Sequence, residues 1–127
     1  MATRRLVQVT WLLALVGCSA QADEMRTLPL ADLPAQQVNE QGIWESNPWM
    51  GTDAAPWLDF PGGVTLRIEH SLGYAPPVVL VYLSFRTDGA AAGRGAGNLG
   101  LVMSVDSQFI QVKNGTRSDM YARVLAH

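Results

Sequence analysis

Through the C-terminal half of this chain an apolar residue recurs at every second position, punctuated by glycine and proline. Val64, Leu66 and Ile68 alternate with Thr65, Arg67 and Glu69. Successive side chains of an extended strand point to opposite faces, so the pattern buries one face and wets the other. Residues 78–85, nearly all aliphatic or aromatic, predict a central strand covered on both faces. Leu99, Leu101, Met103 and Val105 alternate again, and 109–113 and 120–125 supply two more strands. The connections carry turn chemistry: Gly73 before Pro76-Pro77, then Asp106-Ser107, then Asn114-Gly115. Residues 86–98 are rich in Gly and Ala, lack bulky residues at helical spacing, and read as a mobile surface loop. At least five short strands with no long helix predict an all-β domain, a small antiparallel β-sandwich.

The N-terminus constrains location instead of fold. Arg4 and Arg5 precede an apolar run of 11 residues, 6–16, and small residues Gly17 and Ser19 flank Cys18. A charged start, a short apolar core and small residues at its end make a secretory signal peptide. The run is about half of the ~20 residues needed to span a bilayer. Leu15-Val16-Gly17-Cys18 resembles the lipobox of bacterial lipoproteins. That resemblance implies a thioether lipid on Cys18, cleavage before it, acylation of the new amino terminus, and so a membrane partner reached through the anchor. Ser19 after the cysteine resembles lipoproteins directed to the outer membrane, which implies a place in the bacterial cell envelope.

With 1–17 as signal peptide, 110 residues remain, enough for one domain. Cys18 is the sole cysteine, so no disulfide is available and stability must come from an apolar core; 48% apolar residues are adequate for one. Residues 18–41 are mostly Ala, Gln, Asp, Glu and Pro and read as a flexible, lipidated tether, with Pro34 placed to open a short helix through Gln41. Residues 42–127 then form the sandwich, opening with a tryptophan-rich segment, 42–63, whose prolines exclude a central strand. That segment is expected to lie over one edge or mouth of the domain.

Charge argues against nucleic acid as a partner. From 18 to 59 seven acids face Arg26 alone, and beyond that four acids face six scattered bases, with no basic cluster in any short window. Enzyme chemistry finds little footing. His70 and Ser71 are neighbours on a strand and point apart, no G-x-S-x-G elbow exists, and His70 is expected to bond the following turn. No compact set of ligands predicts a metal, and the turns explain Asp88, Asn98, Asp106 and Asp119 without calcium. The glycines of 89–97 fit neither phosphate-loop spacing. No cofactor is expected.

The run His70-Ser71-Leu72-Gly73-Tyr74-Ala75-Pro76 before an apolar strand resembles small β-sandwich modules of phage tail and receptor-binding proteins, and the strand rhythm is loosely similar to H-type lectin domains. The resemblance implies a fold and transfers no site. Among candidate binding residues the foremost are Trp44, Trp49 and Trp57, with Asp59 nearby. Indoles beside acids suit sugars, through stacking and hydroxyl hydrogen bonds; indoles equally seal the open end of a small sandwich. The expectation is a lipid-anchored, non-catalytic binding or adhesion module whose partner is a glycan or an envelope protein. The alternative is a structural envelope component acting through protein contacts. The sequence leaves the number of copies that act together open.

Overall fold

The computed structural model describes residues 24–127. The segment read as a signal peptide, the lipobox-like motif and Cys18 lie outside the described residues. Ten strands form two sheets. The first carries β1 (Glu24–Leu28), β5 (Val64–Glu69), β9 (Phe109–Asn114) and β8 (Leu99–Val105), in the order β1-β5-β9-β8. The second runs β2 (Gln37–Val38), β3 (Trp44–Glu45), β10 (Met120–Ala126), β6 (Val79–Ser84) and β7 (Gly93–Arg94). β4 (Leu58–Phe60) shares a flank of β10 with β3, the two lying end to end against it. The molecule is the expected all-β sandwich.

Alternation sets the core. Leu66 pairs with Val112 and Ile68 with Ile110 across β5 and β9. Val124 pairs with Val81 and Ala122 with Leu83 across β10 and β6. These residues are buried between the sheets with Phe60, Val64 and Met120. Arg67 and Glu69 point outward from the first sheet, where the Arg67 guanidinium lies 3.6 Å from the centre of the Phe109 ring. The β6 strand takes the central place its composition predicted, between β10 and β7.

The larger departure is at the N-terminal side. The chain expected to be a tether through residue 41 is folded from Glu24 onward. β1 pairs with β5 in parallel, Glu24 opposite Val64 and Leu28 opposite Ile68, so one edge of an otherwise antiparallel sandwich is parallel. A single 3-10 turn, Leu30–Asp32, then brings Leu33 into the core, where it is buried. In place of a helix after Pro34 the chain forms β2, which pairs with β3. Glu69 fixes the turn, since the Leu30 N–H donates to its carboxylate at 2.8 Å. Backbone pairing and one buried leucine hold this segment, and neither leaves a periodic apolar pattern to read. The expected loop 86–98 also contains β7.

Candidate functional site

The tryptophan-rich segment starts inside the sandwich and ends outside it. Trp44, on β3, is fully buried among the core residues. Its indole N–H donates to the Gln36 side chain at 2.8 Å, which satisfies the one polar atom it carries inward. Edge-on to it at 6.3 Å lies His70, also buried. The Leu72 N–H donates to His70 Nδ1, so Nε2 carries the proton and donates to the Asp106 carbonyl at 2.8 Å. His70 therefore bonds the following turn and ties it to the β8–β9 turn.

Beyond β3 the chain leaves the sheet at Ser46. The Ser46 N–H donates to the Val124 carbonyl, and the Ser46 hydroxyl accepts the Val124 N–H at 2.9 Å. One residue thus occupies both backbone groups of Val124 and ends the strand without leaving an orphan. The Asn47 amide donates to the Pro56 carbonyl and closes the excursion of residues 47–56 over the sheet's outer face. Beneath it sits Arg123, 4% exposed, with Nε donating to the Asn47 carbonyl at 2.8 Å and Nη2 paired to Glu45 at 3.1 Å. Burial pushes this guanidinium below its usual value, against the pull of Glu45. Gln37 and Asn39 also donate to the Glu45 carboxylate, so the buried pair is fully bonded.

Trp49 and Trp57 build a second aromatic cluster on this outer face. Trp57 is 1% exposed; its indole N–H donates to the Trp49 carbonyl and its backbone N–H to the Thr87 carbonyl. A methyl group on Gly89 would lie 2.4 Å from the Trp57 ring, and Gly89 holds φ +77°, so glycine is required there on both counts. Trp49 meets Trp57 edge-on at 6.1 Å and Tyr82 at 5.0 Å, with the Arg123 guanidinium 5.0 Å from its centre. It remains 51% exposed.

The four candidate residues do not converge on one surface. Trp44 belongs to the inner core and Trp57 to the outer cluster, and neither presents a ring face to solvent. Asp59, on β4, does meet Trp57: both line a cavity of about 190 Å³ with Asp32, Leu33, Pro56 and Leu58, apart from Trp49. Of the three indoles only that of Trp49 is accessible, beside a groove of about 400 Å³ formed with Met50, Gly51 and residues 88–92. Sequence reasoning missed these partners because residues 86–98 carry no periodic signal; Asp88-Gly89, a turn pair facing a tryptophan-rich segment, was the available clue. The Asp88 carboxylate stands at the rim, held below the usual carboxylate range chiefly by the Ala90 N–H and further by Arg86. An exposed indole, an anionic rim and the backbone of a Gly/Ala loop can stack a ring and accept hydroxyl hydrogen bonds.

Among the described residues no three His, Cys, Asp or Glu side chains come together as metal ligands, and no helix is long and apolar enough to cross a membrane. Comparison with protein-family models, with curated proteins and with solved structures finds no match to this chain.

Proposed function

We propose that this chain is a lipid-anchored protein of the bacterial cell envelope, held at the outer membrane through Cys18, whose sandwich binds a ligand and performs no chemistry on it. Glycans are the ligand class that the site suits. The observation that carries this reading is Trp49, half-exposed yet held by Trp57, Tyr82 and Arg123 beside an open groove. A fixed aromatic face loses little freedom on binding, which favours stacking on a sugar ring. The lipobox supports the anchor, and the folded segment from Glu24 supports a domain carried close to it.

Titration of the soluble fragment 24–127, which holds both sheets, with envelope polysaccharides and peptidoglycan fragments tests the reading. Trp44 and Trp57 supply constant emission, so a saturable change reports Trp49. The change should vanish in Trp49→Ala while circular dichroism shows an intact fold. Emission that no glycan alters rejects glycan binding. The second reading, a structural component acting through protein contacts, draws support from the apolar side chains of Val102 and Met103, exposed on the free edge strand β8.

A further inference from the structure

The end of the sandwich where β1 begins gathers three exposed apolar side chains that neither core uses. β1 is parallel to β5, so Glu24 lies at the Val64 end of the first sheet. Leu99 lies at the same end, opposite Asn114, whose side-chain amide reaches across to the Phe60 and Ser118 carbonyls near the start of β10. Tyr121 of β10 pairs with Ser84, which places Phe85 there as well. Phe85, 73% exposed, and Leu99 flank a mainly apolar groove of about 200 Å³ whose wall includes Arg94 and Met120. Met50, 77% exposed, stands beside the loop that follows Phe85, with the Gly51 N–H bonded to the Asp88 carbonyl.

Covalent reach says what covers this end. Only residues 19–23 join Cys18 to Glu24. Fully extended, the six steps from Cys18 to Glu24 span roughly 20 Å. A lipid on Cys18 therefore keeps this end within that distance of the headgroups. The charges there suit phosphate. Arg94 and Arg117 are exposed, whereas Glu24 is paired to Arg26, which also feels the exposed Asp59 opposite Tyr121, Asp88 is paired to Arg86, and Asp119 accepts the Gly62 N–H.

We infer that the domain docks on the bilayer through this end, with Phe85, Leu99 and Met50 entering the headgroup layer and Arg94 and Arg117 facing lipid phosphates. Apolar side chains ringed by bases are the means by which a peripheral surface settles into that layer. The anchor is thus a short leash on a seated domain, and the Trp49 groove opens sideways just above the lipid. The inference rests on the anchor proposed for Cys18.

The test uses the full chain expressed with its own leader, recovered from membranes and reconstituted in vesicles of phosphatidylethanolamine and phosphatidylglycerol. A Trp49→Phe background silences the exposed native indole, and Phe85→Trp or Leu99→Trp reports this end. Tyr74→Trp, in the β5–β6 connection at the opposite end, is the distal control. Lipids carrying a headgroup nitroxide should quench the Phe85→Trp and Leu99→Trp emission at least about twofold more strongly than the distal reporter, as expected for side chains within the headgroup layer. Mass spectrometry of the N-terminal peptide separates the two ways of failing. A peptide without acyl groups overturns the anchor and the inference together. An acylated peptide with equal quenching at both ends overturns the docking alone. A reporter response that follows protein density in the vesicle instead of nitroxide content identifies a second copy as the occupant, and also overturns it.

Discussion

The two faces of the larger sheet solve the same problem by different means. The inner face is covered by a second sheet, and its contacts are apolar and without charge, with hydrogen-bonded polar groups at Asn114 and His70. The outer face is covered by a single excursion of chain, residues 47–56, pinned by a buried ion pair, an edge-on aromatic cluster and a close approach between Gly89 and Trp57. The inner face gains stability from area removed from water, with each side chain replaceable by another of similar volume. The outer face depends on particular atoms. What the contrast teaches is where this fold tolerates change: within the sandwich, volume matters, and beneath Trp49, identity does.

Four substitutions can break that comparison, and a pH test sharpens it. The largest effect is expected for Trp44→Ala, which empties the inner core and should cost about 4 kcal/mol in denaturant unfolding. Arg123→Met keeps the volume but strands the Glu45 carboxylate, for an expected loss of about 3 kcal/mol. Glu45→Gln in the same chain should return part of that loss, measured as a coupling in a double-mutant cycle. Additive losses would mean the pair does not act as a unit. Gly89→Ala should cost about 2 kcal/mol, because a left-handed φ and a contact with Trp57 oppose it together. It should also shift Trp49 emission. A loss equal to that of Trp44→Ala would show that the outer cluster is part of one continuous core.

The smallest effect is one of pH, and it concerns the connections that frame both faces. Glu69 is held below its usual range first by the Leu30 N–H and then by Gln108, and Asp106 by the Phe109 and Gln108 N–H groups. Carboxylates lowered in this way contribute stability that is fully present above their unfolded values, near 4.5 and 3.8, and is lost as pH falls through their lower folded ones. Thermal melts at neutral pH should therefore exceed those at pH about 3, and Glu69→Gln with Asp106→Asn should flatten the difference. Both carboxylates are solvent-exposed, so the change is a modest one.

The same contrast explains what could be read from the chain. The long strands that face the inner core were legible: Val64, Leu66 and Ile68 and then Ile110 and Val112 left their period, and β6, with Val81 and Leu83, left an apolar run, whereas three-residue β4, which carries Phe60, left neither. The role of His70 in bonding its turn was equally legible, since it is local; Asn114-Gly115, read as a tight hairpin turn, instead ends β9 where the chain crosses to the other sheet. β1 was not. Glu24, Met25, Arg26 and Thr27 are all exposed, and what holds them is the unpaired edge of β5, forty residues away in sequence. Composition identified the tryptophans as important but could not assign them to sides of a sheet, because the departure of the chain at Ser46 depends on a hydroxyl filling the place of a strand partner. Arg123 looked like one more outward charge on an alternating strand; only the excursion that covers it makes it interior.

The parallel edge strand has a mechanical consequence. A pull applied at residue 24 and resisted at the far end of the molecule runs along the axis of β1. That geometry loads the five residue pairings between Glu24–Leu28 and Val64–Ile68 together, in shear, and none can open before its neighbours share the force. An antiparallel hairpin pulled from its open end would unzip one bond at a time. The strand that opens the described chain is therefore the one built to carry tension.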